Sequence, residues 1–146
     1  MKENDDFFYQ KNMQKYFFEI EMKVRDYECD IQGIVNNAVY QNYLEHTRHE
    51  FLLTTGVNFL ALHQAGIDPV VSHIEIDYKI PLQSGDDFFS TMHVVKDGIK
   101  HVFFHEILRK KDQKLCVKAK VDIVTLINGK LSRGEHLDEI LQRLHS

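Results

Sequence analysis

Asp30 stands between the acidic stretch Asp26-Tyr27-Glu28-Cys29 and a glycine-containing loop that runs through Gly33, Ile34 and Val35 to Asn36 and Asn37. A carboxylate so placed lies where a strand ends and a helix begins, beside backbone N–H groups that have no acceptor within the helix. Such a junction can hold an electrophile. The carboxylate offers a base or a nucleophile, and the helix-end donors receive negative charge as it develops on the electrophile's oxygen. The same residues also have a structural reading, in which Asp30 accepts loop amides and the asparagines only cap. Glu28 is the competing carboxylate, and pairing with Arg25 is the reading favoured for it. Gly33 permits a tight or closely approached backbone.

The other residues capable of chemistry are less well arranged. His46 and His49 are three apart on one helix, but the sequence supplies no third ligand, and no metal is expected. Neither they nor His63 accompany a serine or cysteine nucleophile motif. Cys29 and Cys116 are too few for a disulfide scaffold and lack zinc-ligand spacing. A reducing cytoplasm fits them best.

The elements that must position Asp30 are legible from periodicity. Phe18, Ile20, Met22 and Val24 alternate with Glu19, Glu21, Lys23 and Arg25, the pattern of a half-buried strand. Asn36 or Asn37 caps the following helix, in which Tyr40, Tyr43, Leu44, Thr47 and Phe51 form one stripe. Gln41, Asn42, Glu45, Arg48, His49 and Glu50 fall largely off that stripe, and Gly56 stops the helix. A short helix over 58–65 ends at Gly66, and Pro69 marks a change of structure. Strands follow over 74–80, 87–96 and 99–109, the last two joined by Asp97-Gly98, and a long strand begins at Leu115 and reaches the turn Asn128-Gly129. Residues 137–144 read as a short amphipathic helix, and residues 1–14 as a loose arm or short helix.

Strand, long helix and four further strands joined by tight turns imply an α+β domain over 1–146, with an antiparallel five-stranded sheet wrapped around the helix. Repeated strand–helix alternation and a G-x-G-x-x-G opening are absent, which disfavours a doubly wound nucleotide-binding fold. Eighteen basic against twenty-two acidic residues give a formal charge of −4, with no basic block able to follow a phosphate backbone. Nucleic acid is therefore not expected as a partner. The first residues break their apolar run with charge and no later apolar stretch approaches bilayer-spanning length, so secretion and membrane insertion are disfavoured.

The segment Val24-Arg25, Tyr27, Asp30, Val35-Asn36-Asn37-Ala38, Tyr40, Leu44-Glu45 and Arg48, with Ile76-Asp77-Tyr78-Lys79-Ile80-Pro81 and Gly85-Asp86 further on, resembles the 4-hydroxybenzoyl-CoA thioesterase-like hotdog family. The likeness is greatest to its long-chain acyl-CoA thioesterase branch, and the strand order extends it from about residue 16 to residue 127. Ile34 departs from the histidine that many members place before Val-Asn-Asn-Ala. The resemblance implies a single hotdog domain in which Asp30 is catalytic and a backbone N–H around Asn37 polarises a thioester carbonyl. Gly33, Val35, Asn36, Tyr40 and Tyr43 would border the substrate, although helical periodicity equally makes both tyrosines core residues.

The implied reaction is hydrolysis of a medium- or long-chain acyl-CoA to the free acid and coenzyme A, which is part of the substrate and not a bound cofactor. Lys79, Lys96, Lys100, Arg109, Lys110 and Lys111 are the candidates for its phosphates. Acyl-carrier-protein thioester hydrolysis, a binding protein without turnover, and a 3-hydroxyacyl dehydratase are the alternatives. The dehydratase lacks an evident catalytic histidine. A homodimer is the minimum assembly implied, with a homotetramer also open.

Overall fold

The computed structural model describes residues 17–145, so the expected N-terminal arm lies outside the described residues. Strand β1 (Phe17–Lys23) half-buries Phe18, Ile20 and Met22 and exposes Glu19, Glu21 and Lys23, as alternation requires. A 3-10 turn (Asp26–Glu28) and a short loop carry the chain into helix α1 (Asn37–Leu53). Asn36 is its N-cap: the side-chain Oδ1 accepts from the Ala38 N–H at 2.9 Å. Helix α2 (Phe59–Gln64) follows, with Asn58 accepting from the Ala61 N–H at 3.0 Å.

The rest of the sheet is built by β2 (Ile67–Tyr78), β3 (Asp87–Asp97), β4 (Lys100–Arg109) and β5 (Leu115–Ile127), and a two-residue β6 (Lys130–Leu131) folds back on β5. The spatial order is β1-β3-β4-β5-β2, with every pairing antiparallel. The five expected strands are present, β6 being an addition. Strand β2 begins at Ile67, well before the expected start, and runs through Pro69. Pro69 breaks nothing there, because β2 is an edge strand and a proline facing an open edge removes no ladder bond.

Helix α1 lies along the sheet and divides the core. Its first half contributes Tyr40, Tyr43 and Leu44 to a cluster with Leu82, Phe88, Ile107 and Val117. Its second half contributes Phe51 and Leu52 to another with Met92, Phe103 and Val121, which the final helix α3 (Glu135–Gln142) closes through Leu137, Ile140 and Leu141. A polar seam runs between the two: Thr47 Oγ1 donates to the Tyr43 carbonyl at 2.8 Å and lies 2.7 Å from Ser90 Oγ, and the Arg48 guanidinium reaches His105. Arg48 is buried, contrary to its expected place off the apolar stripe. It follows Leu44 by four residues and precedes Leu52 by four, so it occupies the flank of the buried face. No helix among the described residues is long and apolar enough to cross a membrane.

Candidate active site

The loop before α1 is a miniature hairpin. Isolated bridges pair Cys29 with Val35 and Ile34 with Gln83, and the Asp30 N–H donates to the Ile34 carbonyl at 2.9 Å. The Gly33 N–H returns to the Asp30 carbonyl at 2.9 Å. Gly33 closes this turn at φ +80°, a conformation in which other residues are strained. The Gln32 N–H donates to Asp30 Oδ1 at 2.9 Å. Asp30 Oδ2 has no protein donor among the described residues, and the side chain is exposed. The Asn36 N–H is bound to the Glu28 carbonyl at 3.1 Å, so the hairpin sets Glu28 against the start of α1, with Asp30 across from Ile34.

At that start the Asn36 side chain takes the Ala38 N–H, and the Asn37 amide, first in the helix, has no acceptor within it. Tyr78, the last residue of β2, steadies this end through its hydroxyl, 3.3 Å from the Asn37 carbonyl. One short segment thus carries an exposed carboxylate, at Asp30, and a helix-end donor without an acceptor in the helix, at Asn37.

Glu28 is occupied otherwise. Its Oε1 accepts from the Arg25 N–H and the Tyr43 hydroxyl, both at 2.8 Å, and its Oε2 accepts from Arg25 Nη1 at 3.1 Å. With its side chain only 11% exposed, Glu28 anchors the loop to α1. Burial, and then the Glu28 carboxylate, push the Tyr43 hydroxyl above its ordinary range, so it remains a donor. The Tyr40 hydroxyl accepts from the Leu82 N–H at 3.0 Å, and Val35, Tyr40 and Tyr43 are all buried in the core. Gly33, Asn36 and Asn37 are exposed along the loop and helix start. Burial, followed by the carboxylates of Asp30, Glu28 and Asp26, raises the Cys29 thiol, which disfavours the thiolate that nucleophilic attack would need.

The basic candidates separate into two groups. Arg109, Lys110 and Lys111 surround a cavity of about 420 Å³ with Gly85, Asp86 and Asp87. The Gly85 N–H donates to the Val24 carbonyl and the Val24 N–H to the Asp86 carbonyl, which joins this cavity's wall to the strand that feeds the Asp30 loop. Lys79 is exposed one residue beyond Tyr78, at the same end of the sheet. Lys96 and Lys100 sit at the other end of the β3–β4 hairpin, roughly 30 Å from Arg109 along a ten-residue strand. They are bound to Asp138 at 2.6 Å and Asp122 at 3.2 Å. Arg109 is itself paired through two bonds to Asp112, and Lys110 is paired to Glu21.

Sequence reasoning missed the buried Arg48–His105 contact of 3.1 Å. Alternation along β4 places His105 between the core residues Phe103 and Ile107, which was the available signal.

The model of the thioesterase-like superfamily matches residues 24–144. The chain belongs to this superfamily. Among thioesterase-like relatives, a chloroplastic acyl-acyl carrier protein thioesterase of Arabidopsis thaliana is 39% identical over 113 residues, covering 77% of this chain and 60% of the relative. The chain thus spans about three fifths of that protein's length. Among solved structures, a DHNA-CoA thioesterase of Staphylococcus aureus superposes with a TM-score of 0.77 at 18% identity, covering 88% of this chain and 90% of that one. A 4-hydroxybenzoyl-CoA thioesterase bound to 4-hydroxybenzoyl-CoA gives 0.72 at 15% identity, covering 80% and 90%. At such identities the likeness concerns the fold, the hotdog arrangement expected from the sequence.

Proposed function

We propose that this thioesterase-like chain hydrolyses a fatty-acyl thioester at the Asp30 loop. The observation that carries the reading is the exposed Asp30 carboxylate, whose Oδ2 takes no donor from the described residues, in the hairpin that leads into the Asn37 helix start. Water attacks the thioester carbon as Asp30 takes its proton. The carbonyl oxygen gains negative charge, which the Asn37 N–H and the helix start stabilise. The carbon–sulfur bond then breaks, and the departing thiolate takes up a proton. In the covalent variant Asp30 attacks the thioester carbon and expels the thiolate, which takes up a proton, and water then hydrolyses the resulting anhydride to the free acid and the Asp30 carboxylate. Gly33 and Asn36 border the acyl carbonyl in this reading. Val35, Tyr40 and Tyr43 form the wall behind it.

Acyl-CoA is the first substrate considered, with Lys79 and Lys111 nearest to hand for its phosphates. Neither has a carboxylate partner among the described residues, whereas Lys96 and Lys100 are distant and paired. The Arabidopsis relative favours a second carrier, acyl carrier protein, whose phosphopantetheine arm presents the same thioester. A homodimer suits both. Edge strand β2 leaves Val70, Val71 and Tyr78 exposed, and Tyr27 and Ile31 stand out beside Asp30. A second copy would cover this apolar surface.

The test is thiol release from medium- and long-chain acyl groups on both carriers, comparing wild type with Asp30→Ala. Turnover abolished by the substitution supports hydrolysis at Asp30. Tight binding with no thiol release from any substrate would replace the enzyme with a binding protein, and product formation without thiol release would point to a dehydratase.

A further inference from the structure

Arg48 raises a charge problem that the Asp30 site does not solve. It is 7% exposed, and its Nη1 lies 3.1 Å from His105 Nε2. His105 Nδ1 lies 3.1 Å from the Thr91 carbonyl oxygen, an acceptor only, so Nδ1 carries the proton and Nε2 accepts from Arg48. Burial first, and then the Arg48 charge, hold the His105 pKa well below its ordinary value, so the imidazole is neutral. A neutral ring satisfies one N–H and offsets no charge. Burial lowers Arg48 itself only to about 10, which leaves it a cation at neutral pH. No carboxylate bonds to it among the described residues; Glu45, three residues back on the same helix, attracts it without a bond, and a buried cation is costly to leave without a bonded anion.

Arg48 lines a cavity of about 90 Å³ together with His49, and the other walls are apolar, including Leu52, Phe59, Pro69, Phe103 and Leu137. Leu52, Phe59, Pro69 and Leu137 also line a second, largely apolar slot against α2, whose walls include Thr125 and His136. That slot measures about 10 Å³, room for roughly one water. Its roof is the six-residue α2, which has no buried residue of its own. A cation at one end and hydrocarbon along the rest match an amphiphilic anion. Phosphate or sulfate would surrender more hydration to apolar walls than a single carboxylate does.

We propose that this pocket binds an aliphatic monocarboxylic acid, its carboxylate on Arg48, its first carbons against Leu52, Phe103 and Leu137, and its tail displacing α2 from the slot. The site is separate from the thioester centre: Arg48 lies eleven residues along α1 from Asn37, roughly 16 Å at helical rise. An acid released by thioester hydrolysis belongs to this class of ligand, but the proposal rests on the pocket and not on the reaction.

The experiment is calorimetric titration of the full chain with octanoate and octanol. Octanoate binds the wild type, and octanol binds more weakly by about ten- to a hundredfold, as loss of a charge-assisted hydrogen bond implies. Arg48→Met weakens octanoate by a similar factor, and Leu52→Phe, which keeps the charge but fills the cavity, weakens it as well. Asp30→Ala leaves octanoate affinity unchanged. If Arg48→Met does not fold, Leu52→Phe decides. Octanoate affinity that is undetectable, indifferent to these two pocket substitutions, or abolished by Asp30→Ala overturns the proposal. So does wild type that ignores octanoate while Arg48→Met dissociates the assembly, since Arg48 would then serve a subunit contact.

Discussion

Asp30→Asn and Glu28→Gln should separate chemistry from scaffolding, because the two carboxylates differ in what holds them. Asparagine at position 30 retains Oδ1, so the 2.9 Å bond from the Gln32 N–H survives while the unpartnered carboxylate oxygen is replaced by an amide. An exposed substitution of this kind costs no more than about 0.5 kcal/mol of stability. Loss of a general base costs about 10²–10⁴ in kcat, or roughly 3–5 kcal/mol of barrier. Glutamine at position 28 does the reverse. It weakens three charge-assisted bonds, from the Arg25 N–H, the Arg25 guanidinium and the Tyr43 hydroxyl, on a side chain only 11% exposed. A stability loss of about 1–3 kcal/mol follows, which for a domain of this size lowers Tm by roughly 4–10 °C. Its kcat falls by less than about tenfold, provided turnover is measured well below Tm. Thiol release at saturating acyl thioester and thermal melting followed by circular dichroism supply both axes. A folded Glu28→Gln without activity, beside an Asp30→Asn that turns over normally, would refute the assignment.

Burial pushes His93 down to about 4, so between pH ~6.5 and ~4 the unfolded chain binds a proton that the folded chain does not. Stability is therefore full above that window and falls by up to about 3 kcal/mol as pH drops through it. Urea unfolding across this range measures the slope, and His93→Phe, which keeps an aromatic ring on Phe104, should flatten it. Lys79→Glu with Lys111→Glu should raise KM for acyl-CoA several-fold, roughly 1 kcal/mol, whereas Lys96→Ala and Lys100→Ala leave it unchanged; equal effects from the two pairs would contradict the division of the basic residues. Gly33→Ala meets no atom within 4 Å but must hold φ +80°, a backbone cost of about 1–2 kcal/mol, and kcat should fall with the distorted turn while Gly33→Asn retains more activity. Aspartates at Val70 and Val71 on the β2 edge should shift the molecular mass measured by light scattering from dimer to monomer, and an unchanged mass would argue against that edge as the contact.

Much of the scaffold could be read locally. Strand alternation in β1, the Asn36 cap, the stripe from Tyr40 to Phe51 and the Asp97-Gly98 turn depend on neighbours a few residues away, so sequence exposes them directly. The junction around Asp30 was legible for the same reason, its loop, its glycine and the helix that follows being contiguous, whereas a catalytic part for Asp30 came from the family resemblance. Local signals cannot report which strands become edges, and Pro69 therefore looked like a boundary although the edge position of β2 accommodates it.

Sequence alone thus determined the element order and the strand–loop–helix junction, since each is set by short-range periodicity and turn chemistry, while the choice of Asp30 as candidate carboxylate leaned on the family resemblance. Tertiary structure decided which polar groups are already committed. Only folding brings Glu28 to Tyr43, Tyr40 to Leu82, and Arg48 to a histidine fifty-seven residues away. It also sorts one list of basic residues into two ends of a sheet, because hairpin register, not composition, sets where a charge meets its partner or remains exposed.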